Sequence, residues 1–254
     1  MPLSCQSAVK RVAGSSRPEV TKPVDLVVVI DTSGSMGQFS RVVILNSIND
    51  FIADQKKTTP DTTISVITFS TITTVLYDRM PIAKIPAITA EDVAPQSCTS
   101  LYDGFSDGLD ILNTGEDHTT SNKILLVITD GLENTSQNNT REQIVEKIAG
   151  GIEKGYLIKF LGGGHDAVRI GLELGIAEDC CLSFSNDDSG LGSAMLAASQ
   201  SLERHALGKC HSFTPLERVK SKSTETRPPL PRVKNCHVSF AGGGGLARTP
   251  TASQ

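Results

Sequence analysis

The stretch Leu26-Val27-Val28-Val29-Ile30-Asp31-Thr32-Ser33-Gly34-Ser35-Met36 decides the fold. Its first five residues are apolar and rich in β-branched side chains, the composition of a strand buried on both faces. Beyond it, Val42, Leu45, Ile48 and Ile52 recur at helical spacing. Asp31 to Ser35 therefore occupies a loop between a strand and a helix. In open α/β sheets ligands bind at such loops, beyond the carboxyl ends of the strands. Asp31, Ser33 and Ser35 alternate along it, so a turning backbone can aim their oxygens at one point. A carboxylate with hydroxyls suits a hard cation such as Mg²⁺. Taken alone, the same residues also read as an Asp/Ser-rich turn capping the next helix.

Two later stretches break that tie. Thr99 opens Thr99-Ser100-Leu101-Tyr102-Asp103-Gly104, and Asp130 follows the apolar run Ile124-Leu125-Leu126-Val127-Ile128-Thr129 and precedes Gly131. With these the chain resembles the von Willebrand factor type A (VWA) domain family. The metal-ion-dependent adhesion site of that family begins with D-x-S-x-S. A Thr in a T-x-L-x-D-[AG] pattern and the Asp of a strand-then-TDG pattern complete it. The resemblance covers residues 24–206 and implies a doubly wound, mostly parallel α/β sheet with one antiparallel edge strand, a Rossmann-like architecture. It also implies a site of Asp31, Ser33, Ser35, Thr99 and Asp130 around Mg²⁺ or Mn²⁺. The function it implies is protein binding, with an Asp or Glu of a protein ligand completing the coordination. Phe160-Leu161-Gly162-Gly163-Gly164-His165-Asp166-Ala167, with Leu174-Gly175-Ile176 after it, resembles the closing segment of short stand-alone members.

The remaining pattern agrees with an alternation of strands and helices. Residues 62–69 and 72–77 alternate apolar with polar across a gap of Ser70-Thr71, which predicts a hairpin and hence the antiparallel edge. Residues 78–98 carry Pro81, Pro86 and Pro95 and read as loop with one short helical turn. A helix with Leu101, Phe105, Leu109 and Leu112 on one face follows Thr99. Thr140 and Gln143 form a capping box for the next helix, whose end Gly150-Gly151 is expected to loosen. A strand at 156–161, a helix at 166–174, a short strand at 181–184 and a closing helix at 190–206 complete the domain.

Residues 1–23 read as a flexible leader and 207–254 as a basic, Pro/Gly-rich, largely disordered tail. Within the tail, Thr214, Pro215 and Glu217 predict one short helix. Arg227 to Arg232 favours an extended polyproline conformation, a possible ligand at 227–232 for a Pro-motif-reading domain. Residues 205–254 hold eight Lys/Arg against two Glu, a net +6; against the whole-chain −4 this leaves −10 for residues 1–204. An acidic core with 4% aromatic residues offers nucleic acid neither a basic footprint nor stacking platforms.

No apolar run approaches the roughly 20 residues of a membrane-spanning helix, and the N-terminus has no apolar core like that of a signal peptide. The six cysteines form no C-x-x-C pair, which points to reduced thiols and a cytoplasmic setting. A metal-dependent hydrolase would need a base beside the cation. Asp103 is expected to support the loop instead, Glu133 to face solvent, and His118 and His165 to be solvated. A third reading is a metal-free scaffold that recruits partners through the Pro-rich tail. No catalytic residue is expected, and the chain is read as a non-enzyme.

Overall fold

The computed structural model describes residues 22–114, 121–164 and 167–222. A six-stranded sheet runs, in spatial order, β3 (Thr73–Pro81), β2 (Thr62–Phe69), β1 (Val24–Asp31), β4 (Asn122–Thr129), β5 (Leu157–Gly163) and β6 (Cys181–Phe184). All neighbours pair parallel except β2 and β3, the expected hairpin. Every residue of β1 is buried, as an apolar strand between two helical layers must be.

The helices are α1 (Arg41–Thr58), α2 (Leu101–Thr114), α3 (Arg141–Glu153), α4 (Ala167–Glu173), α5 (Asp188–Ala206) and α6 (Pro215–Lys222). Ile30 and Ile128 meet Ile44 and Ile48 of α1 and Leu191 and Met195 of α5. Val27, Val29 and Leu125 face α2, so close that a Cβ on Gly108 would stand 2.7 Å from Leu125. Successive strand residues point to opposite faces, so α1 and α5 cover one side of the sheet and α2 the other. The loops after β1, β2 and β4 all leave at the carboxyl ends of parallel strands, which places them at one end of the molecule.

Two expectations change. α3 continues through Gly150-Gly151 and ends beside Gly155, whose φ is +85°. A Cβ on Gly151 would lie 3.2 Å from Tyr156 and 3.4 Å from Leu109, so packing offsets the ~1 kcal/mol that a helical glycine costs. Residues 78–81 continue β3 instead of forming loop. The following segment is anchored by buried Ile82, Ile85, Ile88 and Val93.

Packed structure also extends beyond 206, through Lys222. The capping box read from Thr214 and Glu217 is present: Glu217 N donates to Thr214 Oγ1 at 3.2 Å, and Thr214 N to Glu217 Oε2 at 2.7 Å. Arg204 Nη1 and Nη2 grip the same carboxylate at 2.8 and 3.0 Å. α6 then covers the edge of β6. Arg218 Nη1 donates to Cys181 O at 2.9 Å, Ser221 Oγ to Ser183 O at 2.9 Å, and Ser185 N to Ser221 O at 2.8 Å. Backbone groups that would otherwise offer themselves to another strand are taken up by a helix. The leader up to residue 21, His118, His165, Asp166 and the 227–232 segment lie outside the described residues.

Candidate metal centre

The first loop is built by pinning every second residue. Thr32 N and Oγ1 both donate to Phe69 O, at 2.8 and 3.0 Å, which ties the even position to the end of β2. Gly34 lies against the Gln96 and Ser97 carbonyls, where a Cβ would come within 3.0 Å. Met36 and Phe39 bury into the core below. Asp31, Ser33 and Ser35 are left on the opposite side, as their alternation predicted.

The five expected oxygen donors converge. Asp31 Oδ1 accepts from Ser33 N at 2.6 Å, and Asp31 Oδ2 from Thr129 Oγ1 at 2.5 Å. The Ser33 and Ser35 hydroxyls are 3.0 Å apart. Ser35 Oγ donates to Asp130 Oδ1 at 2.6 Å. Gly131 closes the ring, because its Cβ position lies 2.8 Å from Thr99 Oγ1 and 3.2 Å from Ser35 Oγ. Any side chain at 131 would push those two hydroxyls aside. Asp31, Ser33 and Thr99 form a buried floor, whereas Ser35 is exposed and Asp130 half-buried, so the cluster opens toward solvent on one side.

Electrostatics define what this cluster lacks. Burial raises the Asp31 carboxyl to about 6; hydrogen bonds from Thr129 and Ser33 partly oppose that, and the nearby Asp130 carboxylate adds to it. Burial likewise raises Asp130, against hydrogen bonds from Ser35 and Gln38. Among the described residues no Lys or Arg contributes to either shift. Two carboxylates facing three hydroxyls, with no Lys or Arg among the described residues beside them, is a donor set that fits a hard divalent ion. Among the described residues no cluster of three His, Cys, Asp or Glu side chains offers a rival metal site.

The supporting shell held surprises. Thr129, half of the strand-then-TDG pattern, is the residue that orients Asp31. Gln38 Nε2 donates to Asp130 Oδ2 at 2.6 Å, a role with no signal in the sequence. Asp103 supports the loop as expected, accepting from Gln137 N at 2.9 Å, Asn138 N at 3.2 Å and Asn139 Nδ2 at 2.9 Å. Glu133 was expected to face solvent. It is half-buried and accepts from Ser136 N at 2.7 Å and from Tyr102 N at 3.0 Å, in the first turn of α2. An acid at a helix N-terminus is favourable there, and it fastens the Asp130 loop to the Thr99 helix. Asn134 does the same from the backbone side: its Oδ1 accepts from Thr99 N and its N donates to Thr99 O, each at 3.0 Å.

A mostly parallel sheet with a carboxylate and hydroxyl cluster on the loops after β1 and β4 and on the segment that leads from β3 into α2 defines a class of α/β metal-site domains. The model of the von Willebrand factor type A domain family matches residues 25–162, more than half of the chain, and the chain belongs to that family. Similar solved structures include pilus adhesin SpaC from Lactobacillus rhamnosus GG in its open conformation. It is 13% identical, with a TM-score of 0.60 over 74% of this chain and 31% of that one. The vWF domain of the type V pili tip protein Mfa5 from Porphyromonas gingivalis is 14% identical, with a TM-score of 0.55 over 74% of this chain and 97% of that one. Proximal thread matrix protein 1 from the mussel byssus, with a zinc-occupied MIDAS motif, is 18% identical at a TM-score of 0.54. That match covers 72% of this chain, which spans 46% of the byssus protein. No curated protein matches the chain. At these identities the likeness is one of fold. The family is one of interaction modules, and no described helix is long and apolar enough to cross a membrane.

Proposed function

We propose that the chain is a divalent-metal-dependent protein-binding module whose ion, Mg²⁺ or Mn²⁺, is held by Asp31, Ser33, Ser35, Thr99 and Asp130. The observation that carries the reading is the pair of buried Asp31 and half-buried Asp130, set among hydroxyls with no Lys or Arg among the described residues to neutralise it. A bound ion would supply an open coordination position for an Asp or Glu of the partner. The chain's own residues do the rest. Thr129 and Ser33 N aim the Asp31 carboxylate, Gly131 leaves room for the Thr99 and Ser35 hydroxyls, and Glu133 and Asn134 keep the Thr99 and Asp130 loops in register.

Binding without catalysis is the reading that the surroundings support. The two further carboxylates nearest the loops, Asp103 and Glu133, each accept several backbone hydrogen bonds and serve the framework, so neither stands poised as a base. We also propose a reducing, cytoplasmic setting, supported by the free thiols of Cys98, Cys180, Cys181 and Cys210. The 227–232 segment stands as a second proposed docking motif for a Pro-reading domain.

Calorimetric titration of Mg²⁺ and Mn²⁺ into EDTA-treated protein tests the reading. Saturable binding is expected in the wild type and none in the Asp31→Ala, Asp130→Ala double variant. Equal binding by a folded double variant would refute it.

A further inference from the structure

The helix α6 is turned inside out. In a surface helix the apolar side chains ordinarily face the domain and the polar ones face water. In α6 the buried residues are Glu217 and Ser221, 7% and 0% exposed, while Leu216 and Val219 stand 61% and 65% exposed. Hydrogen bonds hold the helix from behind: Arg204 donates to Glu217, Arg218 to Cys181 O and Glu178 O, and Ser221 to Ser183 O. Leu216 and Val219 are three positions apart and share one face. Lys220 and Lys222, both exposed, flank them. An apolar pair between lysines therefore points away from the domain on a helix that cannot turn it inward.

The complement is on the same chain. α3 exposes Ala149 and Ile152, three positions apart, beside Glu142, Glu146 and Glu153. Helical spacing gathers these three glutamates along one ridge next to the apolar pair. α3 is seated on α2, where Lys147 Nζ donates to Ser106 Oγ at 2.6 Å, whereas α6 is seated on β6 and α5. The two faces are separate surfaces, and both stand open in the single chain. Setting α6 on α6 would oppose lysine to lysine, and α3 on α3 glutamate to glutamate; only the unlike faces attract. An anionic bilayer also suits apolar residues among lysines. It would, however, repel the acidic domain of residues 1–204 that is fixed directly behind α6.

We propose that α6 of one copy docks on α3 of a second copy. Leu216 and Val219 cover Ile152 and Ala149, while Lys220 and Lys222 meet Glu146 and Glu153. The contact joins two different faces, so copies associate head to tail and the row stays open to growth. A surface of one short helix is small, so the association is weak and rises with concentration. Neither helix carries one of the five oxygen donors, and each copy in such a row keeps its own cluster outside the contact.

Sedimentation equilibrium of the full chain in EDTA, from about 10 µM to about 1 mM, tests this. The average mass should climb with concentration in ~50 mM salt and climb less in ~500 mM salt. Lys220→Glu with Lys222→Glu in one variant, and Glu146→Lys with Glu153→Lys in another, should each weaken association roughly tenfold or more. A chain carrying all four reversals should associate as the wild type does. Leu216→Ser with Val219→Ser should also weaken it roughly tenfold, the scale of losing one or two buried aliphatic side chains. All six side chains are exposed, so circular dichroism should be unchanged in every variant. A wild type that stays monomeric throughout, single-face reversals that associate like the wild type, or a fourfold variant that stays monomeric would each overturn the proposal and leave the α6 face to a partner of another kind.

Discussion

β1 carries a buried carboxylate at each end, and the two live by different rules. Asp25, 5% exposed, enters the sheet opposite Lys123 of β4 and Thr63 of β2. Burial raises its carboxyl, while Lys123, then Arg79 and a hydrogen bond from Thr63, pull it back. Asp31, 1% exposed, sits at the other end, is helped only by a hydroxyl and the Ser33 residue, and feels a second carboxylate. One end of the strand is an internally neutralised anchor. The other is left short of positive charge. The same residue type, at the same depth on the same strand, meets a cation of the protein in one place and, on the proposed function, recruits an outside cation in the other.

Asparagine substitutions offer the sharpest way to break that comparison. The folded-state pKa of Asp31 lies above its usual value, so the fold holds a proton there that the unfolded chain has released between about pH 4 and 6. In EDTA, Asp31 should therefore lower stability as pH rises through that window, by on the order of 2–3 kcal/mol. Asp31→Asn removes that penalty, so it should raise Tm in EDTA at pH 7 while abolishing Mg²⁺ binding. Burial raises the Asp25 carboxyl too, but there Asn takes the carboxylate from beside buried Lys123, so Asp25→Asn should lower stability instead, by roughly 1–3 kcal/mol, and with it Tm. Thermal unfolding of the two variants side by side checks this; a shared sign would erase the distinction between the ends.

Gly131→Ala probes the site alone. Its Cβ would stand 2.8 Å from Thr99 Oγ1, so Mg²⁺ affinity should fall about tenfold, on the scale of disturbing a residue that orients metal ligands. Far from either end, Arg218→Ala should cost about 1 kcal/mol by removing hydrogen bonds to Cys181 O and Glu178 O. It should leave Mg²⁺ affinity unchanged in the same calorimetric assay.

The strap that Arg218 belongs to has its own pH dependence. Burial pushes Glu217 up, but the Arg204 guanidinium and the Thr214 hydrogen bonds outweigh it and hold the carboxyl below its usual value. A depressed carboxyl stabilises above its unfolded pKa and loses that contribution as pH falls through the folded one. Hydrogen-exchange protection of 215–222 should therefore weaken below about pH 4, the range in which a Glu side chain ordinarily titrates.

The central sheet and the clustering of five loop oxygens were legible because their signals are local. A β-branched run, a Ser/Asp alternation and a strand-then-TDG pattern each fit in a few residues. The supporting contacts were not legible, because they depend on residues far apart in the chain. Gln38 reaches Asp130 across 92 positions and Glu133 reaches Tyr102 across 31. Gly150-Gly151 misled for a similar reason: propensity argued for an end, while close packing against Tyr156 and Leu109 kept the helix intact. The basic composition after 206 hid a segment whose Arg204–Glu217 pair and α6 bind it to the edge of β6, although its capping box was readable.

The most direct test of the uncompensated carboxyl end is the Mg²⁺-dependent shift of Tm, measured from pH 5 to pH 8 for wild type and Asp31→Asn. The expected result is a rise in wild-type Tm on adding Mg²⁺ at pH 7, shrinking as pH falls below about 6 when a proton takes the place of the ion on Asp31. Asp31→Asn should show no shift at any pH. A Mg²⁺ shift of equal size in both proteins, or one independent of pH in the wild type, would contradict a role for Asp31 as the buried anion that calls for a cation.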